Sequence, residues 1–365
     1  MSGSARTTSY FLMHKDKKVL SFDFYGNIKI FDKKFLPYGL YIEEQDDVGT
    51  KTNNMLNIIN WLSRRVITID RKYSKEIYNF LNLAQNSDDR TRALFSISYH
   101  SLSLTDVYWV KDQNEIVSFS KINLYDNSLS NSFVDVFLRG KGFTLSKDDL
   151  DSRDIGTSGQ CPKAWYRNKD KELFLYKDGK SSDVSNEIIA SKIVEHFKID
   201  FVKYTKAKYA NKIVSKCKII SNKGYSLLNS FDLKIYCLNH DIDFYDYIDR
   251  IDGYSYYMLN IIDYLIGNND RHPNNWGVLI DNKSNKVVKL YPLMDFNKAF
   301  NDYKDLKGAK CLTVDKNTCQ LDAAVIAVKK VGLNLKLKIP SSVFEGNKSR
   351  ETMFRKRLQK LRQVV

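Results

Sequence analysis

The chain has 365 residues, 43% of them hydrophobic and 28% charged, enough for two or three domains with a sizeable core. No apolar run reaches the length that spans a bilayer, and residues 1–10 lack the apolar segment of a secretory signal. A cytoplasmic chain is therefore the expectation, although an effector exported by a dedicated secretion system would look the same here. The formal charge of +15 suits nucleic acid or an acidic partner, and the five scattered cysteines, without a C-x-x-C pair, suggest neither zinc nor a disulfide framework.

Residues 10–32 alternate apolar and polar around Gly26-Asn27 and predict a β-hairpin. Pro37 and Gly39 bend the chain at 36–41. Residues 53–64 and 73–84 carry apolar side chains at helical spacing, the second with Ser74 as a candidate N-cap. Residues 96–111 are aromatic and β-branched, and His100 among them reads as a surface or core imidazole rather than a catalytic one. The first 145 residues carry no chemical motif and read as a packing lobe or substrate platform.

At 146–159 the composition shifts to Asp, Gly and hydroxyl side chains, the mark of a surface loop or boundary. Gly156, Thr157, Ser158, Gly159 and Gln160 lead to Lys163 and to two strands that turn at 168–170 and end on Lys177. Backbone N–H groups of such a loop can cap phosphates, and a lysine closing an apolar strand could neutralise them. The next helix, capped by Asp183 or Ser185, lines one face with Ile188, Ile189, Ile193, Val194 and Phe197 and holds Glu187 in its first turn. A helix glutamate paired to a strand lysine is how kinases fix that lysine. A first-turn glutamate favoured by the helix dipole is the plain alternative. Residues 199–220 predict two or three more strands, the last placing 217–221 near the connection between lobes.

The stretch 263–300 is where the chemistry concentrates. Tyr257, Leu259, Ile261, Ile262, Leu265 and Ile266 predict a buried helix that stops at Gly267. A polar loop follows, in which Pro273 bars the helix from resuming. Strands at 276–280 and 287–290, joined by a turn at 281–285, fold back so that Asn275 and Asp295 can end side by side. Asp270 could accept the proton of an attacking hydroxyl, while Asn275 and Asp295 could hold Mg²⁺ against the phosphates of ATP. Phe296-Asn297 stands where many kinases have Phe-Gly. Residues 321–332 predict an amphipathic helix ended by Gly332. Residues 347–363 predict a basic helix with Met353, Phe354, Leu358 and Leu361 as its stripe and Arg350, Arg355, Lys356, Arg357, Lys360 and Arg362 on a solvated face.

These residues resemble the HipA-like kinase family. The resemblance rests on GTSGQCPK at 156–163, Lys177, Glu187, GNNDRHPNNWG at 267–277 and Asp295. The segments LPYGL, NWLSRR and SLTDVYWVK look like a divergent bacterial branch and extend it over nearly the whole chain. It implies an α+β fold, two-lobed and protein-kinase-like, with an additional N-terminal α/β subdomain. Residues 1–145 would be that subdomain, 146–222 the nucleotide lobe, and 223–365 a mostly helical lobe with the catalytic loop. The resemblance further implies ATP and Mg²⁺, and transfer to Ser or Thr of a protein substrate. Asp270 would be the catalytic base, Asn275 and Asp295 the metal ligands, and Lys177 the phosphate-binding lysine with Glu187 as partner. Gly156, Thr157, Ser158, Gly159, Gln160 and Lys163 would line the phosphate loop.

Some members of the family are toxins of toxin–antitoxin pairs and others are secreted effectors, so a separately encoded antitoxin or regulator is an expected partner. No helix-turn-helix is evident, and direct nucleic-acid binding is not expected. The chain departs from the family at Gly156, where a serine that is autophosphorylated often stands; Thr157 and Ser158 are the nearest hydroxyls. That puts autoinhibition by loop phosphorylation in question. Two alternatives keep their place: a lipid or small-metabolite kinase of the same fold, and a non-catalytic basic binding module.

Overall fold

Three strands, not one hairpin, open the chain in this computed structural model: β1 (Tyr10–His14), β2 (Lys17–Phe22) and β3 (Ile28–Ile30). The extra turn is made by Lys15 at φ 51°, a left-handed position without the Gly or Asn that usually announces one. The expected turn at Gly26 is the second of the two, with φ 92°. The structure describes residues 8–67, 72–81, 83–127, 137–139, 162–209, 211–301, 305–314 and 317–364. Contacts divide the chain into two units. Unit 1 holds Met1–Leu173, Ser221–Ser226 and Asp281–Lys286; unit 2 holds Phe174–Ile220, Leu227–Ile280 and Val287–Val365.

In unit 1, β4 (Tyr108–Asp112) pairs antiparallel with β1 and completes a sheet of order β3-β2-β1-β4. The helix expected at 53–64 is α1 (Val48–Ser63), lengthened because the Asp47 carboxylate accepts the Thr50 N–H at 2.9 Å. The second is α2 (Ser74–Phe80), shorter than expected, with Tyr73 rather than Ser74 at its N-cap. A further helix, α3 (Asp89–Ser98), starts from an Asp88 cap. Leu12, Leu20, Ile58, Leu62 and Val110 share the core between sheet and helices. His100 lies 2.8 Å from Glu115, a plain surface pairing. Helix α4 (Phe119–Ile122) and strand β5 (Lys163–Arg167) also belong to this unit.

Unit 2 opens within β6 (Leu173–Lys177), which joins β7 (Thr205–Tyr209) and β8 (Lys212–Lys218) in the order β6-β8-β7. The antiparallel register sets Ser215 opposite Lys177. Helix α5 (Ser181–Val194) follows Lys180, and neither Asp183 nor Ser185 caps it. The earlier start moves Glu187 into the second turn, beyond the reach of the helix dipole. A second sheet has the order β11-β10-β9, from β9 (Tyr225–Asn229), β10 (Gly277–Asp281) and β11 (Lys286–Leu290). Gly277 is required there. A Cβ on it would lie 2.0 Å from the Leu228 carbonyl oxygen and 2.7 Å from the Asn229 Cα, both backbone atoms that can yield only by parting the strands. Gly277→Ala is expected to lose on the order of 3 kcal/mol, read as a lower urea midpoint.

The helical part of unit 2 holds α6 (Ser230–Asn239), α7 (Phe244–Ile266), α8 (Gln320–Val331) and α9 (Lys348–Arg362). Helix α7 breaks at Asp252 (φ −159°, ψ 60°), whose carboxylate accepts the Leu290 N–H at 3.1 Å. Its C-terminal half is buried through Leu265 and Ile266, and Gly267 ends it at φ 61°. The Asn268 N–H reaches the Asp263 carbonyl at 2.9 Å and the Gly267 N–H reaches Tyr264 at 3.2 Å, the paired bonds of a Schellman stop. Helix α9 buries Met353, Phe354, Leu358 and Leu361 as its spacing requires. Two of its arginines are not solvated as expected: Arg357 is 0% exposed and Arg350 7%. Arg357 donates to the Tyr264 carbonyl at 2.6 Å and the Asp305 carbonyl at 3.0 Å, capping the end of α7. The Nη groups of both arginines find polar acceptors inside, which offsets part of the cost of burying their charge. No helix among the described residues is long and apolar enough to cross a membrane.

Candidate active site

Lys177 ends β6 with its ammonium 2.5 Å from Glu187 Oε1 and 2.8 Å from Asp295 Oδ1. Glu187 is 1% exposed and its other oxygen accepts from Ser215 Oγ at 2.5 Å. The strand register therefore builds half of this cluster, since it puts Ser215 beside Lys177 under the same helix residue. The Tyr204 ring lies 5.1 Å from the ammonium, and its hydroxyl accepts the Asp295 N–H at 3.2 Å. Burial works against the lysine charge, but Asp295 and Glu187 outweigh it and hold the Lys177 pKa well above the ordinary value. The residue is a fixed cation at any physiological pH. Burial also pushes the neighbouring Cys217 thiol up to about 12, so that cysteine is inert.

Asp295 has φ 61°, a left-handed conformation that Asp tolerates better than a branched residue. Its carbonyl accepts from Asn268 Nδ2 at 3.5 Å. Phe296 behind it is fully buried, 6.1 Å from the Tyr204 ring. Strained backbone in a well-packed setting is a mark of functional sites.

The loop after α7 is built on Arg271, which is 2% exposed. Its Nε and Nη2 donate to the two oxygens of Asp263 at 2.8 and 3.0 Å. Its Nη1 donates to the carbonyls of Asn275 (2.8 Å) and Met294 (2.5 Å). One side chain thus ties the Asn275 end of the loop to the residue before Asp295. Asn268 Nδ2 adds a third donor to Asp263 at 3.0 Å, and Gln320 Nε2 holds the Asn268 carbonyl at 2.6 Å. Asn275 Nδ2 donates to the Asp270 carbonyl at 2.8 Å, and no described residue donates to its amide oxygen. Asp270 is half-buried. Burial lifts its carboxyl above the usual range and Asp295 adds to this, while His272, Lys298 and Arg271 pull the other way.

The structure brings Lys177, Glu187 and Asp295 into direct contact, and Arg271 ties the loop that carries Asp270 and Asn275 to Met294, next to Asp295; all five lie in unit 2. Gly156, Thr157, Ser158, Gly159 and Gln160 lie outside the described residues. Lys163 starts β5 in unit 1. A groove of about 780 Å³ on α5, lined by Val184, Ile188, Tyr204 and Ile213, includes none of the five. Sequence reasoning missed Asp263, Arg271 as a brace, Ser215 and Tyr204. Only Asp263 left a signal: a carboxylate inside the apolar run NIIDYLIG needs a buried partner.

No family model and no curated protein matches the sequence. Solved structures do match. HipA of Shewanella oneidensis, in a complex with HipB and operator DNA, superposes with a TM-score of 0.54 over 97% of this chain and 90% of that one, at 12% identity. The chain has a HipA-like fold. The Helicobacter pylori proinflammatory kinase CtkA also matches, with a TM-score of 0.44 over 62% of this chain and 92% of that one, at 18% identity.

Proposed function

We propose that this HipA-like chain is an ATP- and Mg²⁺-dependent protein serine/threonine kinase. The observation that carries the reading is the clamp on Lys177, a buried ammonium held by Glu187 and Asp295 at 2.5 and 2.8 Å. Isolated buried charges are costly, and a lysine stationed between two carboxylates at the foot of a site is placed to meet a polyphosphate. Oxygen donors suited to a hard cation are the Asp295 carboxylate, which touches the ammonium, and the amide oxygen of Asn275, on the loop that Arg271 ties to Met294. These two would hold Mg²⁺, which supplies charge neutralisation for the phosphates when bound. Asp270 takes the proton from the acceptor hydroxyl, and its raised pKa makes it a better base than an ordinary aspartate. Arg271 keeps Asn275 and Asp295 in register during transfer.

The acceptor is taken as a protein hydroxyl, and the +15 charge favours an acidic protein surface. A separately encoded regulator is a proposed partner; the Shewanella toxin–antitoxin structure holds HipA together with HipB. The test is transfer from γ-labelled ATP with Mg²⁺ to casein and to the chain itself, wild type against Asp295→Ala. Label on serine or threonine that falls about 10³-fold in the variant is expected, since a cation ligand and the lysine clamp go together. Equal transfer by both, or label found only on lipid or small molecules, overturns the reading.

A further inference from the structure

Helix α9 ends far along the chain from the nucleotide-side elements, yet one of its arginines is inserted against α5. Arg350 Nη1 donates to Ser185 Oγ at 2.9 Å and its Nη2 to Asn186 Oδ1. Asn186 Nδ2 turns the other way, to the Asn297 carbonyl at 3.5 Å. The guanidinium also lies 5.4 Å from the Phe300 ring. The two residues that Arg350 grips directly precede Glu187, the partner of Lys177. We propose that Arg350 is a positioning residue for phosphate transfer: it fixes the rotation of α5 about its axis and so keeps the Glu187 carboxylate on Lys177.

The geometry is sensitive enough for this to matter. A side-chain tip stands about 5–6 Å from a helix axis, so a 20° turn of α5 moves it about 2 Å. That displacement breaks a 2.5 Å contact. No N-terminal side-chain cap fixes α5, so its register depends on such lateral contacts. Lys192 to Glu345 at 2.7 Å is a second link from the α9 end, but both partners are about half exposed and contribute little. Arg350, at 7% exposure, is the buried contact beside Glu187, and Ser191, which accepts the Tyr204 N–H at 2.9 Å, holds α5 a turn further on.

This inference rests on the kinase reading, and the experiment separates the two. Arg350→Ala, Arg350→Lys and Asn186→Ala are compared with Arg355→Ala. Arg355 sits on the same helix, bonds Glu351 and the Ile339 carbonyl, lies 5.6 Å from the Phe344 ring and makes no hydrogen bond to α5. Two readouts are taken. The first is the rate at which an acylating reagent labels Lys177 in the full chain without nucleotide, followed by mass spectrometry. The second is kcat for phosphate transfer per folded molecule. Arg350→Ala and Asn186→Ala are expected to speed Lys177 labelling severalfold and lower kcat about 10²-fold, with partial rescue in Arg350→Lys and no change in Arg355→Ala. If Arg350→Ala fails to fold, Asn186→Ala carries the test. Wild-type labelling in both overturns the inference even if no kinase activity is found, whereas an inactive wild type with the labelling effect intact overturns only the functional reading.

Discussion

Asp270→Asn is expected to lower phosphate transfer about 10³-fold while leaving nucleotide binding close to wild type. General bases contribute about 10² to 10⁴ in rate, and the amide is nearly isosteric but takes no proton. Lys177, Glu187 and Asp295 do not depend on Asp270 for their hydrogen bonds, so the binding side of the site should survive. The pH profile adds an independent check. Asp270 must be ionised to act, and its carboxyl is raised above the usual range, first by burial and then by Asp295. The wild-type rate should therefore fall as pH drops through a value higher than that of an ordinary aspartate. The residual rate of Asp270→Asn should lack that limb. A variant that keeps the full rate and the same acid limb would remove Asp270 from the reaction.

Asp263→Ala should be the most destabilising single change near the site, by about 3–5 kcal/mol in urea unfolding. Asp263 and Arg271 form a pair with side chains 6% and 3% exposed, bonded twice at 2.8 and 3.0 Å. Removing the carboxylate strands a buried guanidinium, which is worse than never having buried the pair. Two exposed partners such as Lys289 and Asp200 make a useful control, because an exposed pair contributes about 0–1 kcal/mol. The double change Asp263→Leu with Arg271→Met should regain much of the lost stability yet remain impaired in transfer. It removes the stranded charge, but also the Nη1 bonds that hold the Asn275 and Met294 carbonyls. Restored activity in that double variant would show that Arg271 is not the brace described above.

The elements were legible where a local cause sets them. Gly267 stops α7 because left-handed backbone is cheapest without a Cβ, and the strand–turn–strand after Trp276 follows from two short apolar runs around a turn rich in Asn and Asp. The stripe of α9 came out as its period demanded. Where a signal was absent, the reading slipped. Lys15 takes a left-handed φ where no Gly or Asn announces it, and α5 starts without a side-chain cap, so the pattern predicts one strand too few and puts Glu187 a turn too early. Arg350 and Arg357 looked like surface charge because nothing local distinguishes a buried arginine from an exposed one.

The sequence by itself determined the candidates: a lysine closing a strand, a glutamate on the next helix, and Asp270, Asn275 and Asp295 at spacings that resemble a catalytic loop and its metal ligands. Tertiary structure alone decided who meets whom. Lys177 and Asp295 are 118 residues apart and touch at 2.8 Å, while Arg271 reaches back to Asp263 and forward to Met294. The physical reason is that helices, turns and strands are set by sterics and periodicity within a few residues. Pairing among buried charges is set by desolvation, which exists only once the chain has enclosed them.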